Sequence, residues 1–120
     1  MKKYIGSVIA LALVAGSLFA AVGMASTHVA TKVVTVTMTD YHFKLSPGPY
    51  KHGVKITFKV INKGNAIHNF DIQGKAHSKL ITAGKTTTFT YTFKKAGKYT
   101  FLCDVPRHAE LGMGGVMKVT

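Results

Sequence analysis

Three side chains with very different chemistry stand at equal intervals near the end of the chain: Cys103, His108 and Met113. On a helix, each five-residue step would turn the side chain by roughly 140°, so the three could not converge. On a strand they would alternate between faces. Pro106, between the first two, disfavours continuing either element. Only a loop that folds back on itself can bring the thiol, imidazole and thioether together. Gly112, Gly114 and Gly115 are expected to give the backbone freedom for that return. A complete soft site needs a second imidazole, and His68 is the best candidate. It alternates in phase with Phe70 and Ile72, which points it toward a core. His28, His42, His52 and His77 fit less well, lying in a leader-proximal tail or beside charged and turn residues.

Two imidazole nitrogens and one thiolate make a trigonal set, and a weakly held thioether adds a long axial sulfur. Thiolate and thioether favour cuprous ion and imidazole tolerates both oxidation states, so the set suits a single copper that cycles between them. One Cys with two His also binds zinc, and here the weak Met argues for copper. Structural readings stand beside these. A buried Cys is often a small hydrophobe, Met113 could pack a loop, and His68 could be a core histidine with a satisfied ring. Met38 and Met117 read as core residues.

The elements that must position these groups are strands. Apolar residues recur with period two over residues 32–39, 54–60, 67–73, 86–93, 98–103 and 116–120, and a further short strand is expected over 41–45. Val54, Ile56, Phe58 and Val60 share one face, with Lys55, Thr57 and Lys59 on the other. Turn signals separate the runs, among them Ser46-Pro47-Gly48-Pro49, Asn62-Lys63-Gly64-Asn65 and Lys95-Ala96-Gly97. No segment carries a sustained helical period. Several short strands at close spacing predict an all-β chain, a two-sheet Greek-key β-sandwich with Cys103 closing a strand on its core-facing side.

The chain has 120 residues, which bounds it to one small domain. Residues 1–25 differ from the rest. A positive Met1-Lys2-Lys3 start leads into an apolar stretch that ends at Gly23-Met24-Ala25, the layout of a secretory signal peptide cleaved after Ala25. The alternative is an uncleaved membrane anchor. Residues 26–31 are expected to form a flexible tail and residues 32–120 the domain. Either way the domain lies outside the cytoplasm, in the periplasm or on the outer face of the cell membrane. There disulfides are permitted, so a solitary Cys103 calls for another explanation. Lys and Arg number 16 against 4 Asp and Glu, a net +12. That balance favours acidic protein partners or an anionic membrane surface. Export argues against nucleic acid. So few carboxylates also leave little to lose on acidification, which suits an acidic exterior.

The stretch from Tyr99 through Met113 to Val119, together with Asn62-x5-His68-Asn69-Phe70, resembles the copper-binding regions of the cupredoxins, the small blue copper proteins of the plastocyanin and azurin superfamily. The resemblance covers most of residues 32–120. The Cys-x4-His-x4-Met spacing is longer than in plastocyanins and pseudoazurins. It is more similar to the rusticyanin and sulfocyanin branch, whose extra segments this chain lacks. The resemblance implies His68, Cys103 and His108 as equatorial ligands of one copper and Met113 as the axial one. It implies that Asn69 ties the two ligand loops and donates toward the thiolate, although Asn there could be an ordinary turn residue. It implies that Gly64 to Ala66 line the first histidine. The edge of the His108 ring would reach the surface within an apolar patch.

The expected function is then a monomeric carrier of single electrons between redox proteins, not an enzyme. A copper storage or delivery protein using the same ligands is the alternative. A surface Met/His cluster would favour it, and none is evident. Catalytic multicopper chemistry needs further histidine clusters, and a dinuclear centre needs a second cysteine. The sequence offers neither.

Overall fold

A computed structural model describes residues 16–120. The start of the expected leader, residues 1–15, lies outside the described residues. Residues 16–30 carry no secondary structure and are exposed throughout. Among the described residues, no helix is long and apolar enough to cross a membrane.

Eight strands follow: β1 Thr31–Thr39, β2 His42–Leu45, β3 Lys55–Asn62, β4 Asp71–Ile72, β5 Ala76–His77, β6 Thr86–Thr92, β7 Gly97–Leu102 and β8 Gly114–Val119. They form two four-stranded sheets, ordered β2-β1-β3-β6 and β5-β4-β7-β8. β1 and β3 pair in parallel, and the remaining named pairs are antiparallel.

The alternating sequence pattern becomes alternating burial. Val34, Val36 and Met38 of β1 and Ile56, Phe58 and Val60 of β3 are fully buried, while Lys55 and Lys59 are exposed. A one-residue slip would turn every one of these side chains to water, so the pattern sets the register. Phe70 bridges the layers. Its ring centroid lies 5.7 Å from Phe58, 5.4 Å from Phe43 and 5.2 Å from Phe101. Each fully buried aromatic of this kind contributes about 1.5–3 kcal/mol relative to exposure.

The expected strand over residues 67–73 is mostly irregular. His68 makes one isolated antiparallel bridge to Ile81, and only Asp71 and Ile72 join a ladder. Side chains supply part of the hydrogen bonding here. Ser78 Oγ accepts from the Phe70 amide (3.0 Å), and Asn62 Nδ2 donates to the carbonyls of Ala66 (2.8 Å) and Ile81 (2.9 Å). β5 is a two-residue strand with no apolar alternation to announce it.

The strand ends define two poles. β1 and β3 finish at one end, where β7 also ends and β8 begins. The chain enters β1 at the other, where Thr31 pairs with Lys55.

Candidate metal centre

At the first pole, Cys103 lies just past the end of β7, and residues 106–112 fold into consecutive turns before β8. Arg107 sits at φ 72° and Gly112 at φ 100°, so the loop reverses through two left-handed residues. The loop closes on itself through the backbone. Met113 N–H donates to the His108 carbonyl, and Cys103 N–H donates to the Met113 carbonyl, each at 3.1 Å. Met113 is fully buried.

Gly114 and Gly115 serve a different purpose from the expected one. Both lie in β8 at ordinary strand angles, opposite Leu102 and Phe101. A Cβ on Gly115 would come within 2.6 Å of the Phe101 ring, and one on Gly114 within 3.0 Å of the Phe101 carbonyl. They make room for Phe101 rather than freedom for the loop.

His68, Cys103 and His108 converge, and all three are buried. His68 Nδ1 lies 3.1 Å from His108 Nδ1 and 3.9 Å from Cys103 Sγ, and His108 Nδ1 lies 3.6 Å from Cys103 Sγ. A circle through three points so spaced has a radius of about 2.1 Å, within the roughly 2.0–2.3 Å that nitrogen and sulfur donors keep from a first-row ion such as zinc. Two imidazole nitrogens aimed at each other and at one sulfur is the arrangement of a donor set, and its soft composition fits copper.

The second nitrogen of each ring is treated differently. His68 Nε2 lies 2.7 Å from Asp40 Oδ1. Asp40 also accepts from the amides of Asn65 (2.9 Å) and Ala66 (3.1 Å). The Asn65 amide first, then the His68 ring and the Ala66 amide, hold its carboxyl well below the ordinary range, at about 2. As a carboxylate Asp40 can only accept, so the His68 proton belongs on Nε2 and its Nδ1 lone pair faces the centre. His108 Nε2 has no protein partner, yet no buried side-chain nitrogen or oxygen among the described residues lacks one, so this ring edge meets solvent. Burial of most of the ring first, and then the neighbouring His68, push the His108 pKa below its usual value. That keeps the imidazole neutral and available as a donor.

The surroundings pack tightly. Gly64 sits where a Cβ would strike Asp40 Oδ1 and come within 3.0 Å of His68 Nε2. The expected placement of Gly64 to Ala66 beside the first histidine therefore holds. Tyr41, at φ 71°, sets its ring edge-on to His108 at 4.9 Å. Ile67, Leu80 and Leu111 are exposed apolar residues on or beside the ligand loops.

Asn69, 4 % exposed, ties the loops as expected: its Oδ1 accepts from the Asp104 amide and its Nδ2 donates to Asp104 Oδ2, both at 2.8 Å. The Asn69 side-chain amide is committed to the Asp104 carboxylate.

Asp40, Tyr41 and the packing role of Gly64 escaped the sequence. Asp40 had only one signal, a lone acid at the end of a strand in a chain with four acids.

The Cupredoxin-like domain family matches residues 8–113. The chain belongs to that family. This cupredoxin is also 31% identical over 72 residues to cytochrome c oxidase subunit 2 of Thermus thermophilus, across 58% of its own length and 53% of the relative's. A second subunit 2 sequence of the same species matches at the same 31% identity over 42% of its length. The chain thus spans about half the length of the curated relatives it matches. Among solved structures, auracyanin from Roseiflexus castenholzii superimposes with a TM-score of 0.64 at 23% identity, over 75% of this chain and 96% of that one. Auracyanin B gives 0.67 at 17%, over 74% and 88%. Auracyanin A from Chloroflexus aurantiacus, described as a "blue" copper protein, gives 0.62 at 21%, over 73% and 99%. At these identities the likeness establishes the fold, an all-β cupredoxin sandwich.

Proposed function

We propose that this cupredoxin is an exported, mononuclear type 1 copper protein that shuttles single electrons between redox partners. The observation that carries the reading is the convergence of His68 Nδ1, His108 Nδ1 and Cys103 Sγ at one buried pole, with Met113 buried where the loop carrying two of them returns to β8. His68, Cys103 and His108 would hold the ion equatorially and Met113 axially. Copper bound there supplies a reversible one-electron couple. Asp40 fixes which His68 nitrogen faces the ion. The Asn69–Asp104 pair and the His108–Met113 backbone bond hold the donors in one arrangement, so little need move when charge changes. The solvent-facing edge of His108 gives the electron its shortest way out.

The reading is of a carrier rather than an enzyme. His28, His42, His52 and His77 join no further donor cluster among the described residues. A second cysteine for a dinuclear centre is absent from the chain. Redox partners would meet the apolar surface beside the ligand loop, where Ile67, Leu80, Val105 and Pro106 border a cleft of about 420 Å³. Lys79 in its lining, and Arg107 next to Pro106 in the chain, would meet carboxylates on a partner.

Adding cupric ion and recording the visible spectrum with a redox titration tests the proposal. A strong, reversible thiolate-to-copper band is expected, and Cys103→Ser should abolish it. A colourless, redox-silent protein after loading, or a Cys103→Ser variant that keeps the colour, would overturn the assignment.

A further inference from the structure

The pole opposite the metal centre is lysine-rich. Lys51, Lys55, Lys94, Lys95, Lys98 and Lys118 are all exposed, and the topology brings them to this one end. Lys55 begins β3 and pairs with Thr92, which runs into Lys94 and Lys95. The Lys51 loop is pinned beside them, with His52 N–H on the Thr120 carbonyl and Gly53 N–H on the Phe93 carbonyl. Lys98 and Lys118 are direct cross-strand partners. Two like charges face to face in a ladder destabilise a sheet, and no carboxylate side chain is near to offset them.

The four acidic side chains lie toward the other pole. Asp40 holds His68, Asp104 follows Cys103, Asp71 lies close enough to Asp104 to feel its charge, and Glu110 is in the ligand loop. His52 Nδ1 lies 2.9 Å from the Thr120 main-chain oxygen at this end. Tyr91 and Tyr99 add two rings beside Lys75, Lys94 and Lys95 around a cleft of about 220 Å³.

A second observation points the same way. With the leader retained as an anchor, the chain reaches this pole from residues 16–30, which are exposed and carry large apolar side chains: Leu18 is 99% exposed, Phe19 94%, Val22 87% and Met24 95%. Lys55 N–H donates to the Ala30 carbonyl, so the apolar segment joins the domain within the lysine cluster. Apolar chain flanked by clustered lysines and tyrosines matches a bilayer interface, with hydrocarbon inside, aromatic rings at headgroup depth and phosphates outside.

We propose that this pole docks on an anionic phospholipid bilayer, which turns the His68–Cys103–His108 end away from the membrane. The surface is independent of whether a metal is bound.

Co-sedimentation of the full chain with phosphatidylcholine vesicles, with and without about 30% phosphatidylglycerol, tests this, since each lysine near an anionic surface adds about fivefold to binding. The anionic vesicles should bind at least about tenfold more tightly, and salt should reduce the difference. Combining Lys94→Gln, Lys95→Gln, Lys98→Gln and Lys118→Gln should remove the preference. Combining Lys44→Gln, Lys59→Gln, Lys63→Gln and Lys79→Gln, which removes the same charge elsewhere, should largely retain it. Equal binding to both vesicles, no binding to either, or equal loss in the two variants would overturn the proposal.

Discussion

Asp40 Oδ1 and His68 Nε2 lie 2.7 Å apart, on the ring edge opposite the nitrogen that faces Cys103. The pair makes a carboxylate–imidazole relay of the kind that fixes a ligand's tautomer and raises its basicity. Asp40→Asn keeps the shape and removes the charge. Less electron density on His68 stabilises cupric ion less than cuprous, so the reduction potential should rise. A tenfold preferential loss of cupric affinity corresponds to about 60 mV for a one-electron couple. Voltammetry on the loaded variant measures it, and an unshifted potential would leave Asp40 a merely structural residue. Ring 15N shifts of His68 supply a metal-free readout: the parent should hold its proton on Nε2.

The same carboxylate sets an acid limit. Its pKa is depressed from 3.8 to about 2 by the Asn65 amide first, then by His68 and Ala66. A depressed acid contributes stability that is complete above its unfolded value and disappears as pH falls through its folded one. Asp40 therefore supports the fold down to pH 3.8 and ceases to do so near 2. Asp71 runs the other way. Partial burial, then Asp104, raise its pKa, so protonating it favours the folded state. Melting temperatures followed downward in pH should show the Asp40→Asn deficit shrinking to nothing near pH 2. A deficit that persists there would contradict the assignment.

Gly64→Ala should damage the centre without touching a donor. The new methyl would press on Asp40 Oδ1, on the Asp40 amide at 2.9 Å and on His68 Nε2 at 3.0 Å. Overpacking of this kind costs about 1–3 kcal/mol, and here it should also weaken copper binding by displacing the relay. Denaturant unfolding and competitive metal titration check both effects. Unchanged affinity would show that the loop gives way instead.

Met113→Leu should retain the metal and change the potential. Met113 is fully buried and its backbone is seated by His108 and Cys103, so a side chain of similar volume can pack there while the thioether is lost. Loss of that weak axial sulfur disfavours the cuprous state less than loss of a thiolate would, and leaves the trigonal set intact. An identical potential in the variant would remove Met113 from the centre.

The longer strands were legible in the sequence because one face of each is buried or half-buried, whereas β5 carries no such pattern. β1 and β3 alternate so regularly that burial follows residue by residue. His68 was legible for the same reason, although it belongs to a bridge rather than a strand, since a two-residue phase with Phe70 survives in irregular backbone. Cys103, His108 and Met113 announced themselves by type and spacing. What escaped was set by three-dimensional proximity alone. Asp40 reaches His68 across 28 positions, and Asn69 spends its amide on Asp104 across 35. No local pattern encodes a partner at such a distance. Gly114 and Gly115 misled because glycine signals both conformational freedom and lack of bulk, and only the position of the Phe101 ring separates the two.

The clasp between Asn69 and Asp104 and the hydrogen bond from the Cys103 N–H to the Met113 carbonyl fasten the ligand loop at both of its ends. Residues 105–112 therefore form a nearly closed ring mounted on a rigid frame. Such a ring can change length or composition while the sandwich beneath it keeps its register. Natural variation that retunes this protein should concentrate there and leave the two fasteners alone.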